Sequence, residues 1–286
     1  MGIGSILLDI TSPVLEAMAP FMPGEIFPYF FSMDMLQRAM LAAIMVTIVA
    51  GVLGTFLLIQ NLALIGDGLA HVSFGGVAVG IVLGATSPLW YALVFSVIAA
   101  ILIHEMQSRE MLTGDASIAI FLTGMLALGL VILRVSGGGI TSDIHSYLFG
   151  NLLLIVMFLR NGLLATAIDP ISARVQGLPV RNIGLLFSIT TAAVVVSMVQ
   201  VVGTLLVTAL LVTPAATAKL VGTSFKSCLL WTQLFGLLSV LIGLFFSAEM
   251  DTGSGSMIAL VAALIFTTVA VGQIMFRAVF NPRDNA

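Results

Sequence analysis

Helix-length apolar segments follow one another from Met35 almost to the C-terminus, with no long polar stretch between them, and that recurrence leaves few folds open. A helix needs roughly 20 apolar residues to cross the hydrocarbon core of a bilayer. Residues 35–59, 67–84, 89–103 and 118–135 qualify in the first half, and residues 183–201, 204–221, 228–246 and 257–276 in the second. A ninth, shorter candidate lies at residues 147–168; its uninterrupted apolar core, Leu148 to Leu159, is only about 18 Å long as a helix. The pattern predicts an all-α, polytopic transmembrane helical bundle of eight to nine spans, with residues 35–286 forming a single membrane domain. Residues 1–34 read differently. The stretch MGIGSILLDITSPVLEAMAPF lacks a basic start and is broken by Asp9, Pro13 and Glu16, which argues against a cleaved signal and for a segment lying at the membrane interface.

Composition excludes several classes of function. Apolar residues make up 60% of the chain and charged residues 8%, against about a quarter charged in a soluble domain. The net charge is −3 and the ten basic residues are scattered singly, so no basic stripe exists for nucleic acid; the lipid bilayer is the expected environment. With Cys228 as the sole cysteine, neither an internal disulfide nor a thiolate cage can form within one chain. No G-x-x-x-x-G-K-[ST] loop is present, so the chain cannot bind ATP by that route, is not expected to be an enzyme, and any ATP-derived energy must come from a partner.

The most informative stretch is LIGDGLAHVSFGGVAVGIVLG, from Leu64 to Gly84. An ionisable residue inside a span is costly and is by default a functional candidate. Asp67 and His71 stand at i and i+4, on one helix face, where a carboxylate oxygen and an imidazole nitrogen can meet one cation. Mixed N and O donors suit Zn2+ or Mn2+, whereas Mg2+ and Ca2+ prefer oxygen alone. Two such helices related by a two-fold axis would offer four ligands. The alternative is that Asp67 caps the helix and His71 is a packed polar residue. Gly76, Gly80 and Gly84 recur at every fourth position and would let another backbone approach. In TLLVTALLVTPAATAKL, Thr208, Thr213 and Pro214 belong to a small, hydroxyl-bearing face that either lines a pathway or packs a kinked helix. Asp143, His145 and Asp251 are candidates for collecting cations at an outer mouth or are solvated loop residues, and Glu249 reads as a solvated loop residue. His104 and Glu105 read as interfacial. The segment DPISARVQGLPV, with Asp169, Pro170, Ala173, Arg174 and Gly177, reads as a short surface helix started by Pro170 and ended by Gly177 and Pro179, or as an ordinary loop.

Taken in order, the stretch from Phe30 to Gly80, then SYLFGNLL, AIDPISARVQGLPV, LLVTPAATAKLV and FSAEMDTGSGS, resembles the permease subunits of the manganese, zinc and iron ABC importers, the ABC-3 family. The resemblance implies a homodimeric permease in a prokaryotic inner membrane, an ABC ATPase subunit on the cytoplasmic side, and an extracytoplasmic protein that delivers the metal. The metal is cargo, and no permanently bound cofactor is implied. Asp67 and His71 fall on the family's Asp and His, which look like pathway ligands, and Ala173 to Gly177 fall on its ATPase-coupling loop. Gln60 and Asn61 stand where the family usually carries paired basic residues. Between SYLFGNLL and AIDP the family has a further helix-length segment, whereas Ile155 to Arg160 nearly joins the two blocks here. The rival functions are a permease for a metal chelate of siderophore or cobalamin type, which needs no ligating side chains, and a secondary transporter, which often shows inverted repeats. No such repeat is visible, and H-E-x-x-H, the mark of a zinc hydrolase, is absent.

Basic residues accumulate in cytoplasmic loops. If residues 147–168 cross the membrane, Arg109, Arg160, Arg174, Arg181, Lys219, Lys226, Arg277 and Arg283 share the cytoplasmic side, and only Arg38 and Arg134 lie outside. The charge bias therefore argues for nine crossings with the C-terminus inside. A reporter fused after Arg283 should be cytoplasmic and one inserted at residues 137–139 external; finding the two on the same side would remove the short fifth span.

Overall fold

The computed structural model describes residues 3–109, 114–135 and 170–280. Those residues form helices α1 (Ile3–Met18), α2 (Tyr29–Ser32), α3 (Asp34–Ile59), α4 (Ile65–Val82), α5 (Pro88–Ser108), α6 (Gly114–Val135), α7 (Pro170–Val175), α8 (Val180–Val202), α9 (Thr204–Val221), α10 (Phe225–Glu249) and α11 (Ser254–Phe280), with a 3-10 turn at Ala19–Phe21. Seven of them are long and apolar enough to cross a membrane: α3, α4, α5, α6, α8, α10 and α11. An eighth apolar stretch, Leu206–Val221 in α9, is shorter. Each of the eight longer segments expected from the sequence is thus a helix, and the chain is a multi-pass membrane protein. The candidate at residues 147–168 lies outside the described residues.

Helix boundaries follow local chemistry. At the end of α4, Gly84 adopts φ +67°. This left-handed residue lets the Gly84 and Ala85 amides donate to the carbonyls of Ile81 and Gly80, which closes the last turn. Gly84 is therefore a terminator; no described residue stands within 4 Å of where its Cβ would be, so among the described residues the packing role expected from the every-fourth-residue pattern belongs to Gly76 and Gly80. The same pair of bonds ends α3 at Asn61, φ +55°, and α7 at Gly177. Pro88 starts α5 in the first turn, where its missing N–H costs nothing. Ser224 caps α10 by accepting from the Ser227 amide at 3.2 Å.

The chain divides into two compact units, residues 53–212 and the combination of 1–52 with 213–286. In the first, α4 packs against α5, α6 and α8, and α5 against α8. Lipid supplies no hydrophobic drive for helix association, so contact rests on close approach at small residues. On α4, a Cβ added at Gly76 would stand 2.7 Å from the Tyr91 carbonyl oxygen of α5, and one at Gly75 2.6 Å from that of Met125 in α6. Gly54, near the end of α3, is tighter still, its added Cβ 1.8 Å from the Leu211 carbonyl oxygen of α9. Along α5 the layering is the reverse of a soluble helix. Ala92, Ser96, Ala99 and Ala100 are buried, while Trp90, Val94, Ile98 and Leu102 form an exposed apolar stripe suited to lipid.

In the second unit, α10 packs on α11, with Gly243 against Ile258. Gln233 of α10 donates from Nε2 to the Ile48 carbonyl of α3 at 3.1 Å, beside Gly51. The N-terminal segment is tied to this unit by Glu249. Its carboxylate accepts the backbone amides of Glu25, Ile26 and Phe27 at 3.2, 2.9 and 3.0 Å. Phe27 meets Phe31 and Phe245 edge-on, each at 5.4 Å. Glu249 is thus an anchor, which corrects its reading as a solvated loop residue: three orphan amides preceding α2 have no other acceptor as strong as a carboxylate.

A paired substitution checks the packing. Gly54→Ala puts a methyl into a backbone carbonyl that cannot yield, and should abolish recovery of folded protein from membranes. Gly124→Ala, at a position with no described residue within 4 Å, should leave the melting temperature unchanged or slightly raised.

Candidate functional site

Asp67 lies in the first turn of α4 but does not cap it. The N-cap position is Leu64, with no side-chain cap bond. Instead the carboxylate turns toward α9, where Thr208 Oγ1 donates to Asp67 Oδ1 at 3.1 Å. Gly66, one residue earlier, faces the same helix: a Cβ there would stand 2.7 Å from the tip of the Leu211 side chain, Cδ1. His71 Nε2 is 3.7 Å from the same Oδ1. That is too long for a hydrogen bond. It is close to the separation of about 3.4 Å that two donors on one tetrahedral ion adopt with bonds of about 2.1 Å.

Both side chains remain partly open, Asp67 at 34% and His71 at 29% exposure. They belong to a stripe on α4, continued by Phe74, Val77 and Ile81, that is less covered than the buried faces carrying Gly75, Gly76 and Gly80. Among the described residues no cluster of three or more His, Cys, Asp or Glu could hold a metal. One chain therefore offers an acid and an imidazole on an accessible helix face, with one hydroxyl from a neighbouring helix.

A second polar group in the same unit joins α5 to α8. Glu105 receives Arg181 in a fork, Nη2 to both carboxylate oxygens at 2.7 and 2.8 Å, and Arg109 Nε at 2.7 Å. His104 Nε2 donates to the Arg181 carbonyl at 3.2 Å, and its ring fills the space that a Cβ at Gly184 would take. A cleft of about 640 Å³ opens beside this network, with Asn61, Gln107, Arg174 and Arg181 in its wall. Arg174 comes from α7, whose Ala173 is buried at 1% while Ile171 and Val175 are 74% and 84% exposed.

Against known proteins, the model of the ABC 3 transport family matches residues 32–273. The chain belongs to that family. Among relatives of this ABC-3 chain, the manganese transport system membrane protein MntC of Halalkalibacterium halodurans is 34% identical over 260 residues, covering 84% of this chain and 88% of the relative. The high-affinity zinc uptake system membrane protein ZnuB of Haemophilus influenzae is 29% identical, over 82% and 95% respectively. PsaBC from Streptococcus pneumoniae, solved in complex with Fab, superposes with a TM-score of 0.71 at 29% identity, covering 85% of this chain and 93% of that one.

The structure brings together three of the residues singled out in the ABC-3 sequence, Asp67, His71 and Thr208. Thr213 and Pro214 lie further along α9, which runs as a helix through Pro214, and both are assigned to the other compact unit. Asp251 is an exposed turn residue with φ +48° after α10. Asp143, His145 and Asp169 lie outside the described residues. Ala173 and Arg174 lie in a short helix with Gly177 as its terminator, which favours the surface-helix reading over the loop. The Glu105 fork was missed by sequence reasoning. Only its Arg109 arm, at i+4, carries a local signal; Arg181 is 76 residues away.

Because Glu105 holds two guanidinium groups at once, Glu105→Gln should free the start of α8. Limited proteolysis should then cut faster within residues 170–181, with total helix content by circular dichroism unchanged.

Proposed function

We propose that this chain is the membrane-spanning permease of an ATP-binding-cassette importer, and that it carries a divalent transition metal ion, Mn2+, Zn2+ or Fe2+, into the cytoplasm of a prokaryotic cell. The observation that carries the reading is the Asp67–His71 pair, an acid and an imidazole 3.7 Å apart on a partly open face of a helix otherwise packed through glycines. Membership of the ABC-3 family supports it, as do relatives named for manganese and zinc transport. An ion shedding its water needs donors of this kind. A metal chelate arrives with its coordination shell already filled and has no use for them.

Assembly follows from the ligand count. A single chain supplies two charged or imidazole donors, so two copies meeting at the open α4 stripe would double the set around one ion. Energy comes from an ABC ATPase subunit. The partner's docking element is α7, where Ile171 and Val175 present an apolar ridge and Ala173 faces inward as the anchor. An extracytoplasmic metal-binding protein supplies the ion. Residues 1–34 lie at the membrane interface, consistent with the exposed apolar row Ile10, Val14, Met18 and Phe21.

Asp67→Asn and His71→Gln keep size and hydrogen bonding while removing the charge or the imidazole. Radiolabelled metal uptake by cells carrying either variant should fall to background, with normal amounts of protein in the membrane. His104→Gln, in the α5–α8 network, should reduce uptake far less. Normal uptake by both Asp67→Asn and His71→Gln would overturn the proposed site.

A further inference from the structure

We infer that Thr208 is a third ligand to the transported ion and the residue that sets its preference for Mn2+ over Zn2+. The inference rests on the reading of Asp67 and His71 as ligands. Thr208 Oγ1 stands 3.1 Å from Asp67 Oδ1 and 3.4 Å from the carbonyl oxygen of Thr204, one turn back on α9. A hydroxyl has one proton and two lone pairs. With two acceptors and a single proton, only one of these contacts can be a hydrogen bond at a time.

When no cation is present, the ionised carboxylate is the stronger and nearer acceptor, so the proton points at Asp67. A cation on Asp67 withdraws its electron density and reverses that choice. The proton then turns to the Thr204 carbonyl, a bond that helical threonines commonly make. That rotation leaves an oxygen lone pair facing the ion. The heavy atoms need not move, because two oxygens bound at right angles to one ion at about 2.1 Å lie about 3 Å apart. The observed 3.1 Å already has that spacing.

The consequence is a change in coordination number and hardness. Asp67 and His71 from two copies make four ligands, the tetrahedral number that Zn2+ takes. Adding Thr208 from each makes six, four of them oxygen. Such a shell suits Mn2+, whereas Zn2+ gains little from neutral hydroxyl donors. A threonine that merely steadied the carboxylate would act on both metals alike, and this difference separates ligand from support.

The test measures Mn2+ and Zn2+ binding to the purified full chain in lipid nanodiscs, by equilibrium dialysis with metal quantification. Thr208→Val, nearly the same shape without the hydroxyl, should weaken Mn2+ binding about tenfold or more and Zn2+ binding by less than about threefold, on the scale of losses seen when metal-site partners are removed. Thr208→Ser should restore both. Equal weakening for the two metals would reduce Thr208 to a positioning residue and overturn the inference, and so would no change for either. Should Thr208→Val fail to fold, Thr208→Cys decides, since a thiolate on the ion must shift preference toward Zn2+ by about tenfold or more; an unaltered preference overturns the assignment. Asp67→Asn is measured in parallel. Metal binding that survives Asp67→Asn removes the site itself, whereas loss there with an unaffected Thr208→Val removes only the role of Thr208.

Discussion

Close backbone approach at glycine is the constraint on which the unit containing the site depends. Inside a bilayer, apolar side chains gain nothing by leaving lipid for protein, so helices associate through dispersion over short distances and through the few polar contacts they can share. At Gly54 the α3 backbone comes so near α9 that a methyl would strike the Leu211 carbonyl, and at Gly66 of α4 a methyl would press on the tip of the Leu211 side chain. That proximity is what lets a short carboxylate on α4 reach a short hydroxyl on α9.

The rest of the polar chemistry obeys the same economy. Thr47, Thr191, Thr217 and Ser239 turn their hydroxyls back to the carbonyl four residues earlier, so that no bare donor meets hydrocarbon. Asp67 and Thr208 depart from this pattern. The Thr208 hydroxyl has the same internal acceptor available in Thr204, yet stands nearer to a carboxylate on another helix. Glu249 and Glu105, at helix ends, settle their charge on backbone amides and on guanidinium groups respectively. Of these three acids, only Asp67 has a carboxylate oxygen with no donor among the described residues, beside an imidazole and on a partly open face.

Several features were legible because they are local. A run of apolar residues predicts a span wherever it occurs, and all eight longer runs are helices. D-x-x-x-H at i and i+4 places two side chains on one face by helix geometry alone. Gly177 after a short polar segment marks the end of α7 through its positive φ. Gly84 was read wrongly for a related reason: a glycine that repeats at every fourth position and a glycine that ends a helix look identical in sequence, and only the backbone angle separates them. Glu249 was misread because its partners, the amides of Glu25 to Phe27, lie more than 220 residues away.

The sequence by itself therefore determined the solvent, the helical class, the positions of the spans and the Asp67–His71 pair, since each depends on hydrophobicity or on periodicity within one helix. Tertiary structure decided which glycines are contacts and which are stops, which acid anchors the N-terminal segment, and which of many threonines faces the carboxylate. Those outcomes depend on the distance between helices remote in the chain. Asp67 and Thr208 are 141 residues apart, and no periodicity within either helix encodes a separation of 3.1 Å.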